Sequence, residues 1–131
     1  MTFGTRSRGV YAIATTPFFD DGSIDFGSID RLTDFYVESG CTGITILGIM
    51  GEAPKLEPDE SRAIVRRVVS RAAVPVIVGV SAPGFAAMRS LARESMEIGA
   101  AGVMIAPPPA LRTDDQIVNY FAGAVEAVGE D

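Results

Sequence analysis

Four short apolar runs, each followed by an amphipathic stretch, recur along the chain at a spacing of about thirty residues, the length of a strand–helix–strand unit. The runs begin near Val10, Gly43, Val74 and Gly102. This rhythm limits the fold more tightly than any bulk property, because parallel strands joined by helical crossovers are the ordinary way to bury such runs. The punctuation agrees with it. The run Val10-Tyr11-Ala12-Ile13-Ala14-Thr15 stops at Thr16-Pro17, since proline has no N–H to give to a ladder. Asp20-Asp21-Gly22-Ser23 reads as a turn. Ile29, Leu32, Phe35 and Tyr36 then recur at helical spacing, with Gly40 as the C-terminal cap.

The later units repeat the scheme. Gly43-Ile44-Thr45-Ile46-Leu47 is the second strand, and a loop over 48–56 leads to Pro58, which suits a first helical turn. Asp59 and Glu60 favour the positive end of that helix. Ile64, Val68 and Ala72 share one face, while Arg62, Arg66, Arg67 and Arg71 read as a solvated face. The third strand is Val74-Pro75-Val76-Ile77-Val78-Gly79-Val80, followed by a helix marked by Met88, Leu91, Ala92, Ser95 and Met96 and closed by Gly99. Gly102-Val103-Met104-Ile105-Ala106 is the fourth strand, stopped by Pro107-Pro108-Pro109. Thr113 and Gln116 form a capping box, and Ile117, Phe121, Ala124, Val125 and Val128 form the expected buried stripe of the last helix, which Gly129 caps. The fold class is α/β. A complete parallel (β/α)₈ TIM barrel takes about 250 residues, so the 131 residues here amount to its first four βα units.

Composition narrows the function. A net charge of −6 gives no electrostatic footprint for nucleic acid or an anionic membrane. The hydrophobic share of 47% fits strands buried on both faces, or surface awaiting a partner. The chain has no histidine, which removes Ser–His–Asp and Cys–His catalysis and histidine-ligated zinc. A single cysteine, Cys41, allows no intrachain disulfide and is expected as a small buried packing residue. The cytoplasm is the expected compartment, with no signal segment and no run long enough to span a bilayer. Asp20, Asp21 and Asp25 do not follow a calcium-loop spacing, so no metal site is expected.

In parallel α/β folds ligands bind beyond the carboxyl ends of the strands. Those ends carry Thr15-Thr16, residues 48–52, Ser81-Ala82-Pro83 and Ala106-Pro107. The strongest local signal is Gly48-Ile49-Met50-Gly51-Glu52, two glycines flanking a tight turn just before a helix. Successive backbone N–H groups in such a turn can form a nest for a carboxylate or phosphate, and a plain strand-to-helix turn has the same pattern. Glu52 can brace the loop by accepting backbone N–H bonds or touch a ligand. Ser81 has no base to activate it, and Arg112 reads as a surface residue.

Taken together, Ala14-Thr15-Thr16-Pro17-Phe18, Asp21-Gly22-Ser23-Ile24-Asp25, the Gly48-x-x-Gly51-Glu52 turn and Pro75-Val76-Ile77-Val78-Gly79-Val80 resemble the N-terminal half of the dihydrodipicolinate synthase/N-acetylneuraminate lyase family of class I aldolases. The resemblance runs from about Gly9 to the last residue. It implies a TIM barrel, a homo-oligomer (usually a tetramer), and a Schiff base between a lysine on the sixth strand and pyruvate or another 2-oxo acid, with no cofactor. It also implies that the backbone N–H groups of Ile49 and Met50 hold the ligand's carboxylate, with Thr15 or Thr16 lining the pocket floor. Where the family usually has hydroxyl residues between the two glycines, this chain has Ile49 and Met50. Where the synthases place a tyrosine after the fourth strand, it has Pro107-Pro108-Pro109. Both changes remove side chains that relay protons, so a lyase, aldolase or dehydratase acting on a different 2-oxo acid is expected.

The Schiff-base lysine is expected beyond Asp131. The one lysine present, Lys55, lies at a helix edge where it should be wet and protonated. The chain alone is therefore expected to be inactive, with residues 1–131 forming the N-terminal half of one barrel domain. Two other readings stay open at this point. One is a small ligand-binding domain of flavodoxin-like order, and the other is a half-barrel that pairs with itself through its open sheet.

Overall fold

Strands β1 (Tyr11–Ile13), β2 (Gly43–Ile46), β3 (Val76–Gly79) and β4 (Gly102–Met104) pair in parallel in the order β1-β2-β3-β4. Between and after them run α1 (Phe26–Glu38), α2 (Pro58–Arg71), α3 (Phe85–Ile98) and α4 (Asp114–Val128). The computed structural model describes residues 3–129. Each helix packs on the next, so all four lie on one side of the sheet. Sequential strand order with helices on one side is the winding of a barrel wall. It excludes the flavodoxin-like alternative, in which the order reverses and helices cover both faces.

Local chemistry accounts for the boundaries. Asp25 caps α1 by accepting the Ser28 N–H at 2.9 Å. At the far end Gly40 adopts φ +84° just past the cap residue Ser39, and the N–H groups of Gly40 and Cys41 return to the carbonyls of Val37 and Tyr36. Pro58 opens α2, with a capping box between Glu57 and Glu60. The Thr113–Gln116 box opens α4 as expected. The observed strands are shorter than the apolar runs that encode them. At β1 the pairing still continues on either side, through Thr42 N–H to Val10 O and Ala14 N–H to Thr45 O.

The core fills the layer between sheet and helices. Ile44, Ile46, Val76, Val78 and Val80 meet Ile29, Ile64, Val65, Val68, Met88, Ala92 and Ala124 there. By strand alternation Tyr11, Ile13, Thr45, Ile77 and Met104 point to the opposite, inner face. Phe3 crosses beneath that face. Its ring sits edge-on to Tyr11 with centroids 5.2 Å apart, and its N–H reaches the Ala101 carbonyl at 3.3 Å.

Three sequence expectations are corrected. The arginines of α2 are not simply solvated. Arg67 and Arg71 pair with Asp30 and Asp34 of α1, and Arg62 pairs with Glu94 of α3, because α2 has a helix on each flank. Arg66 fits the expectation: it is exposed and has no ion pair among the described residues. The stripe of α4 is rotated. Tyr120, Ala124 and Ala127 are buried, Ile117, Phe121 and Val128 are half-buried, and Val125 is exposed. Cys41 is half-buried rather than buried, since it sits in the turn outside the helix–sheet layer. Among the described residues no helix is long and apolar enough to cross a membrane.

Candidate functional site

Parallel strands deliver all four carboxyl ends to one rim. Past β2 the chain turns sharply. Leu47 adopts φ +57° and Glu52 φ +56°, both left-handed and both non-glycine. Such backbone costs on the order of 1–3 kcal/mol per residue and persists only when its surroundings hold it. Two contacts hold it here. The Thr16 hydroxyl donates to the Gly51 carbonyl at 2.6 Å in a buried bond. Gly79 on β3 lies so close to the turn that an added Cβ would stand 2.2 Å from the Leu47 carbonyl oxygen. The turn is closed internally by Glu52 N–H to Ile49 O at 3.0 Å and by Ala53 N–H to Gly48 O at 3.4 Å.

This leaves the backbone N–H groups of Gly48, Ile49, Met50 and Gly51 with no acceptor among the described residues, and of these four residues Ile49 and Met50 are the exposed ones. Gly48 and Gly51 are buried, while the side chains of Ile49 and Met50 are exposed. The arrangement is a row of free donors at the rim with Ile49 and Met50 at its exposed tip, immediately before the 3₁₀ turn Ala53–Lys55 and α2. Neighbouring loops are tied down as well. Ser81 Oγ accepts the Ala106 N–H at 2.7 Å, joining the ends of β3 and β4. The Tyr120 hydroxyl donates to the Ala82 carbonyl at 2.8 Å, and burial pushes its pKa up.

The sequence-selected residues fall into two groups. Thr16, Gly48, Ile49, Met50 and Gly51 come together in the turn and its brace. Thr15 is exposed at the end of β1, and the Glu52 carboxylate points to Lys55 Nζ at 3.1 Å. Lys55 is 73% exposed, as expected of a solvated lysine. Asp21 and Asp25 spend their carboxylates on local bonds to Ser23 and Ser28, which hold both below the usual carboxylate range. Among the described residues no cluster of side chains could hold a metal ion. A void of about 20 Å³ between the helices and β1–β2, lined by Thr16, Thr33 and Ile44 among others, is too small for anything beyond one water.

Sequence reasoning missed Gly79 and Leu47. A lone glycine inside the run Val76-Ile77-Val78-Gly79-Val80 was a usable signal, because glycine in a strand often marks close backbone approach. Nothing in the side chain of Leu47 announces its left-handed backbone.

The sequence matches the dihydrodipicolinate synthetase family over residues 6–129. The chain belongs to that family. It is 40% identical over 122 residues to the 4-hydroxy-tetrahydrodipicolinate synthase of Laribacter hongkongensis, covering 91% of this chain and 42% of that enzyme. The synthase of Thiobacillus denitrificans is 34% identical over 127 residues, covering 95% and 43%. Among solved structures, the dihydrodipicolinate synthase of Rhodopseudomonas palustris superposes with a TM-score of 0.92 at 63% identity, over 98% of this chain and 43% of that one. YagE of E. coli K12, a prophage protein of the same family solved in complex with pyruvate, gives a TM-score of 0.81 at 25% identity, over 92% and 41%. The chain thus spans about two-fifths of the length of the dihydrodipicolinate synthetase family members it matches, and its four βα units correspond to the first four of their barrel.

Proposed function

We propose that the chain supplies the carboxylate-gripping wall of a Schiff-base lyase, an aldolase, lyase or dehydratase acting on pyruvate or another 2-oxo acid. The observation that carries this is the pair of unengaged N–H groups on Ile49 and Met50 at the carboxyl end of β2. A 2-oxo acid bears its carboxylate beside an electrophilic carbonyl. Two fixed donors hold the carboxylate oxygens and turn the keto carbon toward the barrel axis. An amine adds to that carbon, water leaves, and the resulting imine accepts the electron pair released when a bond at the next carbon breaks. Gly48 and Gly51 shape the turn, Thr16 steadies it through Gly51, Thr15 lines the adjoining rim, and Glu52 closes it.

In this reading the amine comes from a part of the barrel beyond Asp131. Lys55 is spoken for by Glu52 and faces water. Residues 1–131 are then the N-terminal half of a single barrel domain, and the chain alone grips a carboxylate without turning it over. The complete enzyme is a cytoplasmic homo-oligomer. A relative described as the first monomeric dihydrodipicolinate synthase variant supports a family that ordinarily assembles. The pyruvate bound to YagE supports the substrate class.

Borohydride trapping with pyruvate tests the proposal. The 131-residue chain should give no covalent adduct, and a chimera in which it replaces the matching part of the Rhodopseudomonas palustris enzyme should give one. An adduct on Lys55, or an adduct-free chimera that folds, overturns it. In amide NMR of the chain alone, pyruvate should shift the Ile49 and Met50 signals first.

A further inference from the structure

The carboxylate turn after β2 has an apolar neighbour from two strands away. Met104 stands on the inner face of β4, and a Cβ built on Gly48 would lie 3.5 Å from its Cε, in ordinary van der Waals contact. The thioether therefore reaches past β3 and lies against Gly48, the first residue in the row of free N–H groups. The register partner of Met104 on β3 is Gly79, and its missing side chain leaves that path open.

The rest of this wall is apolar as well. Ile49 and Met50 stand between the two glycines, and β4 runs out into Ala106-Pro107-Pro108-Pro109. Polar side chains nearby are committed to the protein itself. The Thr16 hydroxyl donates to the Gly51 carbonyl, Ser81 Oγ accepts the Ala106 N–H, and the Glu52 carboxylate faces Lys55. A ligand held here by its carboxylate meets donors at its head and a thioether beside the carbons that follow. A methylene moved from water onto such a wall gains roughly fourfold in affinity when fully covered. A hydroxyl set against the same wall gives up its water and finds no replacement.

We propose that Met104 is a specificity-determining residue of the candidate site, and that the site takes 2-oxo acids bearing an alkyl group on the carbon next to the keto group, in preference to hydroxylated ones. The inference rests on the carboxylate reading of the turn and adds the chemistry of the carbon beyond it. A site that hydrogen-bonds a substrate hydroxyl discriminates strongly against the analogue lacking it, whereas an apolar wall ranks ligands by the carbon it covers.

2-Oxobutanoate and hydroxypyruvate form a matched pair. They share the carboxylate and keto group, are nearly equal in size, and end in a methyl or a hydroxyl. Each is titrated, beside pyruvate, into the isotope-labelled 131-residue chain, and the amide signals of residues 48–51 give the dissociation constants. 2-Oxobutanoate should bind about threefold tighter than pyruvate, and about tenfold tighter than hydroxypyruvate. Met104→Leu keeps an apolar side chain and should keep this order. Met104→Thr should bring 2-oxobutanoate and hydroxypyruvate within about twofold of each other. A chain that answers to pyruvate and ranks hydroxypyruvate level with or above 2-oxobutanoate overturns this inference alone. So does a ranking that Met104→Thr leaves untouched. Amides at 48–51 that answer to none of the three acids overturn the carboxylate reading, and this inference with it.

Discussion

The middle of the arc and its two ends are built from similar sequence and sit in different surroundings. All residues of β2 and β3 are buried, whereas β1 and β4 both grade from half-buried to exposed. α2 has salt bridges to the helices on both of its sides, while α4 turns Val118 and Val125 to solvent. The end elements carry interior-type side chains in edge positions. Edge strands that have settled into being edges usually blunt themselves with charge or proline, and β1 and β4 have neither. The lesson is that the end strands have the residue types of the interior strands in a less buried position.

The sharpest way to break this comparison uses two methionines. Met88 is fully buried between α3 and the sheet, and Met104 on β4 is partly exposed. Met88→Ala should cost about 2–5 kcal/mol of unfolding free energy in urea titration, and Met104→Ala under about 1 kcal/mol. Equal effects would mean the ends are as well packed as the middle. Two glycines come next. Gly79→Ala drives a Cβ into the Leu47 carbonyl and should cost about 3 kcal/mol, while Gly84, which faces open space, should lose under about 1 kcal/mol when changed to alanine. Thr16→Val removes the bond to Gly51 and should cost about 1–2 kcal/mol, with faster amide exchange across residues 48–52. Thr15→Val, at an exposed position, should change neither.

The smallest effect concerns the helix-to-helix ion pairs. Hydrogen bonds from Arg67, Arg71 and Arg62 hold the carboxyl groups of Asp30, Asp34 and Glu94 below their ordinary range. Groups with lowered folded-state values contribute stability that is present above the unfolded range near about pH 4 and lost as pH falls through the folded values. The urea midpoint should therefore drop on acidification below that range, and the triple variant Arg62→Met, Arg67→Met, Arg71→Met should show a shallower drop. An unchanged slope would remove these pairs from any role in joining the middle helices.

The strand–helix order, both capping boxes and the glycine turn were legible because each depends on residues close together in sequence. The flavodoxin-like reading could not be removed that way, since strand order depends on which runs pair. The α2 arginines looked solvated because their partners, Asp30, Asp34 and Glu94, lie 37, 37 and 32 residues away in sequence. The stripe on α4 was drawn from hydrophobicity alone, which records every face meant to be covered. Ile117, Phe121, Val125 and Val128 read as one apolar band with Ala124, and only part of that band meets a neighbour among the described residues. At the candidate site the glycines and Thr16 were visible in the sequence, but the unengaged state of the Ile49 and Met50 N–H groups emerged only from the full hydrogen-bond pattern.

Phe3 leans on Tyr11 of the first strand while its amide reaches Ala101, the residue that leads into the last. It acts as a bowstring drawn across the arc from underneath. Shortening or freeing that string should let the curve relax, so the radius offered to any later strand is set in part by an aromatic ring far from the rim where chemistry would occur.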